Sequence, residues 1–109
     1  MKANELRLGN CLQDSKERFY QVNIDDLVYI SEVGTKSKPI PLTEEWLLRF
    51  GFEWYGRITG WTINEHSVNE KYGCFEFCIN KEFPVELKYV HQLQNLHFAL
   101  TMEELILKL

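Results

Sequence analysis

The sequence predicts one α+β domain over residues 1–109. It is a small antiparallel sheet packed by one short and one longer helix, with N-terminal strands compatible with a partly closed barrel. Three observations predict it. Short segments alternate apolar and polar residues between glycine, proline or polar turns. A helix start with a capping residue and two acids follows Pro41, and the stretch from Val90 to Leu100 repeats leucine at helical spacing. At 109 residues, two domains would each have very little interior, whereas one core is large enough to stand without disulfides or a structural metal.

The elements follow in order. Leu6 and Leu8 alternate with polar or charged neighbours, Gly9-Asn10 supplies a turn, and Asp14 to Arg18 is a polar connection to a strand from Phe19 to Ile24. Tyr20, Val22 and Ile24 share one face of that strand. Asp25-Asp26 reads as a turn, and Leu27-Val28-Tyr29-Ile30 as a more fully buried strand. Gly34 to Pro41 is a loop, because each proline drives the residue before it to extended backbone. Thr43 is the N-cap of the short helix, and Glu44 and Glu45 oppose the positive end of its dipole. Trp46, Leu47 and Phe50 are its apolar face, and Gly51 ends it.

Phe52 to Tyr55 and Trp61 to Asn64 form a hairpin around the loop Gly56-Arg57-Ile58-Thr59-Gly60. Cys74 to Ile79, with Phe75, Phe77 and Ile79 inward, pairs with a strand that starts at Pro84 and carries Val85, Leu87 and Tyr89. The long helix runs from about Val90 to Leu100. Its buried stripe is Tyr89, Leu93, Leu96 and Leu100, with Val90 and His97 at the edge. His91, Gln94, Asn95 and Phe98 then face outward. Leu105, Leu107 and Leu109 alternate as a last strand, while the capping-box spacing of Thr101 and Glu104 offers a helical alternative for residues 103–109.

Composition narrows the setting. The chain is 45% hydrophobic and 26% charged, as in an ordered globular protein, and no apolar run approaches the ~20 residues that cross a bilayer. No apolar segment of a signal peptide follows Met1-Lys2-Ala3-Asn4-Glu5, so a cytoplasmic location is expected. Cys11, Cys74 and Cys78 are odd in number and without framework spacing, which there makes them thiols. A net charge of −4 and the lack of a local basic patch work against a nucleic-acid partner.

Three phrases of the sequence are distinctive together. They are Met1-Lys2-Ala3-Asn4-Glu5-Leu6-Arg7-Leu8-Gly9-Asn10, Pro39-Ile40-Pro41-Leu42-Thr43-Glu44-Glu45-Trp46-Leu47-Leu48-Arg49-Phe50-Gly51-Phe52, and the stretch from Tyr89-Val90-His91-Gln92-Leu93-Gln94-Asn95-Leu96 to Leu105. Over most of its length the chain resembles a family of small proteins, without an assigned activity, encoded in bacterial phages, prophages and other mobile elements. The resemblance carries no activity over to any residue. Its pattern leads one to expect an aromatic residue where Cys11 stands and a glycine where Met102 stands.

Chemistry-bearing residues are few. If residues 74–78 are a strand, Cys74 and Cys78 share a face but lie about 13 Å apart, too far to chelate one ion. His91 and His97 point about 120° apart on a helix, so no metal site is expected. No nucleophile motif surrounds a cysteine, and Glu44-Glu45 and Glu103-Glu104 are explained by helix starts. Trp54, Tyr55 and Trp61 would lie close across the hairpin. They offer an aromatic platform for a sugar, a base or a peptide proline, set against simple core packing. His91, Gln94, Asn95 and Phe98 offer an uncharged stripe with one aromatic ring, a candidate surface for a partner protein.

The leading expectation is a non-catalytic phage or mobile-element accessory protein acting through protein contact. The alternatives are a nucleic-acid-binding module with SH3-like or OB-like strands and an enzyme of unrecognised type. No membrane association or cofactor is expected, and a homodimer through a helix face or strand edge is compatible with the sequence.

Overall fold

A computed structural model describes residues 6–33, 37–56, 60–63, 66–71, 74–78 and 84–107. Within them the backbone forms eight strands, all paired antiparallel, and three helices. The α+β class holds, with two sheets in place of one and three helices in place of two; among the described residues neither sheet closes into a barrel. The chain divides into two units, Met1–Pro41 with Tyr89–Glu103, and Leu42–Lys88 with Glu104–Leu109. No helix of the described residues is long and apolar enough to cross a membrane.

In the first unit, β1 (Cys11–Gln13) lies between β2 (Phe19–Gln21) and β3 (Lys38–Pro39). The first strand therefore follows the Gly9-Asn10 turn, and Leu6 and Leu8 precede it in irregular backbone. The polar connection predicted between the strands is held by Asp14. Its Oδ1 accepts from the backbone N–H groups of Lys16 at 2.8 Å and Arg18 at 3.0 Å. These donors keep the Asp14 carboxyl below the usual range, the Arg18 backbone bond contributing most. Pro39 is tolerated because β3 is an edge strand.

Leu27 to Ile30 is helical, not a strand, and Asp25-Asp26 is not a turn. Both belong to α1 (Ile24–Val33). The reason is local. The Asn23 side-chain oxygen accepts the Asp26 backbone N–H at 2.9 Å, and the Asp26 carboxylate accepts the Asn23 N–H at 3.0 Å, a reciprocal cap that also sets two acids at the positive end of the dipole. This stops the preceding strand three residues short of Ile24. Leu27 and Ile30, three apart, pack with Leu6, Leu12, Val22 and Tyr20, whereas Ile24, Val28 and Tyr29 are exposed.

α3 (Val90–Thr101) begins and ends within a residue of expectation and packs on β1. Gln92 accepts the Tyr89 N–H at 3.1 Å to close its first turn, and Val90 and Leu93 are fully buried. The helix is rotated from the predicted stripe. His91, Gln94 and His97 are buried, while Leu100 is exposed and Leu96 only half-buried.

In the second unit α2 (Glu44–Arg49) is capped at Thr43, as the sequence predicts, although the Thr43 side chain makes no capping bond. Gly51, at φ 90, turns the chain out of it. A five-stranded meander follows: β4 (Glu53–Trp54), β5 (Trp61–Ile63), β6 (His66–Lys71), β7 (Cys74–Cys78) and β8 (Pro84–Leu87). Both hairpins expected from sequence are present. The central β6 is an addition, a polar strand whose only apolar residue is Val68. Trp54, Trp61, Val68, Phe77 and Val85 form one cross-strand row, and Glu70, Phe75 and Leu87 form the next on the same face. Gly60 lets β5 start against β6, since a Cβ there would lie 2.7 Å from the Val68 carbonyl oxygen. Among the described residues, 103–107 form neither the last strand nor a helix, and Ile79, Leu109 and loop residues 57–59 lie outside them.

Candidate functional site

The helix surface His91, Gln94, Asn95 and Phe98 is not a free face for a partner. It is the seat of the segment from Arg7 to Cys11. The Gln94 side chain is 1% exposed; its Oε1 accepts the Cys11 N–H at 2.8 Å and its Nε2 donates to the Gly9 carbonyl at 3.0 Å. Asn95 Oδ1 accepts from Arg7 Nε and from the buried Asn10 Nδ2, both at 2.9 Å. Arg7 also donates to the Gln94 carbonyl and lays its guanidinium 4.3 Å from the centre of the Phe98 ring. His91 is buried and stacks on Tyr89, with ring centres 5.9 Å apart.

His91 and Gln94 of this face are interior, Gln94 because its amide matches backbone groups of the Gly9 turn and of β1. Apolar periodicity does not count such residues as core. His97, also buried, reaches the Glu103 carbonyl with Nδ1 at 3.0 Å, just past the end of the helix.

The environment of Cys11 works against nucleophilic chemistry. Cys11 is fully buried, and burial pushes its thiol up to about 11, the opposite direction to an activated nucleophile. Cys74 is exposed. No group of three or more histidine, cysteine or acidic residues among those described is placed to hold a metal ion.

Two of the three aromatic side chains expected to lie close across the hairpin meet. Trp54 and Trp61 are cross-strand partners on β4 and β5, with ring centres 5.3 Å apart and planes inclined by 55°. Trp61 is the inner member at 6% exposed, and Trp54, on the edge strand, is 50% exposed. Tyr55 does not join them. Strand alternation turns it to the other face with Glu53, whose carboxylate accepts the Tyr55 hydroxyl at 2.7 Å and raises its pKa.

The two indoles and Glu44, the first residue of α2, line a recess of about 350 Å³. Glu70 adds a second carboxyl beside it: the two acids lie within hydrogen-bonding reach, and Glu44 pushes the Glu70 carboxyl above the ordinary 4.5. The Trp61 Nε1–H, buried in this wall, has no hydrogen-bond partner among the described residues.

Sequence reasoning explained Glu44 by the helix dipole alone and did not single out Glu70. Their meeting needs the β6 register, and β6 carries too few apolar residues to announce itself. No protein-family model matches the chain, and no curated protein or solved structure matches it significantly.

Proposed function

We propose that the chain is a non-catalytic accessory protein of a phage or other mobile element, working in the cytoplasm by docking a second protein at the Trp54 recess. The mobile-element setting rests on the resemblance of the three sequence phrases. The observation that carries the docking reading is Trp54, an indole left half exposed beside a recess and backed by the buried Trp61. Large aromatics with a rigid backing dominate protein interfaces, because they remove much surface from water while losing few rotamers. Catalysis is disfavoured by the raised Cys11 thiol, and nucleic acid by the acidic charge and the carboxylates at the recess.

The test is capture from the natural host with the tagged protein and its Trp54→Ala variant. Circular dichroism should show an unchanged fold, because the side chain removed is on an edge strand and half in water. Recovery of the specific partner should drop about tenfold, the scale of one interface anchor. Equal recovery by the folded variant would remove the recess as the docking site.

A further inference from the structure

The recess has walls of two kinds, and together they select a ligand class. Trp54 and Trp61 present indole faces, whose quadrupoles are negative and attract cations. Glu44 lines the same space with Glu70 beside it, and no lysine or arginine among the described residues lines it with them. Two carboxyls held this close share a hydrogen bond and repel each other when both ionise; the shared bond first, then burial and repulsion, raise the Glu70 pKa. A cation placed between them and the indoles relieves that repulsion. Among the described residues, nothing that lines this wall offers a positive group to a phosphate or a carboxylate ligand.

Resting on the docking reading above, we propose that the recess takes the guanidinium of an arginine side chain from the partner protein, stacked on Trp54 and hydrogen-bonded to Glu44 and Glu70. Arginine fits better than lysine, since its planar fork can stack on an indole and bridge two carboxylates at once. The Trp61 Nε1–H, buried and unpartnered among the described residues, marks the same wall as one hydrogen bond short.

The test is a tryptophan-fluorescence titration of the intact protein with three capped tripeptides, acetyl-Gly-Xaa-Gly-amide, in which Xaa is arginine, lysine or citrulline. Citrulline keeps the shape of arginine and removes its charge. The arginine peptide should give a saturable change and bind about tenfold or more tightly than the citrulline peptide, with lysine between them. The double variant Glu44→Gln with Glu70→Gln, checked for its fold by circular dichroism, should lose about the same factor for arginine and leave citrulline unchanged.

Equal binding of arginine and citrulline, an undiminished double variant, or no saturable arginine binding overturns the inference. Partner capture distinguishes the two levels. Capture that needs Trp54 but ignores the glutamate variants keeps the docking site and discards arginine, whereas capture indifferent to Trp54→Ala discards both.

Discussion

Gln94 joins α3 to the turn before β1 through both ends of one side-chain amide. A buried glutamine is stable only when its donor and acceptor are matched, and here they answer a carbonyl and an N–H that the three-stranded sheet leaves unpaired. Replacing it strands the buried Cys11 N–H, whereas the half-exposed Gly9 carbonyl keeps the Gln21 side-chain amide as a donor at 3.4 Å. The Gln94→Ala variant should lose about 1–3 kcal/mol of stability, one unsatisfied buried group's worth, measured as the drop in urea midpoint with unchanged slope. A loss below about 0.5 kcal/mol would mean that the turn finds water instead. Asn10 and Asn95 belong to the same network, where Asn95 Oδ1 is shared between Arg7 and Asn10.

At the scale of elements, the helix ends carry the clearest unmet local preference. Met102 closes α3 in the left-handed region at φ 60 and ψ 19, with its N–H on the Phe98 carbonyl at 2.7 Å. This is the position where the resemblance led one to expect glycine. A side chain in that conformation crowds its own backbone, and Met102 is 73% exposed, so it gives little packing in return. Met102→Gly should therefore stabilise the protein by about 1 kcal/mol, raising the thermal midpoint by a few degrees. A lower midpoint would show that the methionine makes contacts worth more than the strain. The start of α1 is the converse case, in which Asn23 and Asp26 satisfy each other's backbone N–H and turn apparent strand sequence into helix.

For the whole molecule, 16 acidic against 12 basic residues leave a net charge of −4, and the carboxylates at the Trp54 recess add a local negative field. Binding to a polyanion would have to overcome both without the counterion release that lysine and arginine clusters provide. Single-stranded DNA should not be retained in a filter assay even at low ionic strength. Retention that falls steeply with added salt would restore the nucleic-acid alternative.

Much of the fold was legible because it was written locally. Thr43, Glu44, Glu45 and Gly51 bound α2, alternation at Phe75 and Phe77 marks β7, Pro84 opens β8, and leucine spacing places α3 within a residue of its ends. Each is a short-range consequence of backbone geometry and capping. What remained hidden depended on partners distant in sequence. Of the four residues read as an outer surface, α3 turns His91 and Gln94 inward, Gln94 because its amide meets backbone groups of the Gly9 turn and of β1, while Asn95 and Phe98 stay half-buried.

The acidic and aromatic recess is of the same kind. Glu44, Trp54, Trp61 and Glu70 are spread along the chain from the start of α2 to β6, and only the register of β4, β5 and β6 with the start of α2 brings them together. The sequence alone determined the α+β class and most helix and strand limits, because those follow from periodicity and caps. Which polar faces are buried and which side chains share a recess was decided by tertiary structure, because a hydrogen bond or a charge pair depends on distance in space, which a linear spacing does not contain.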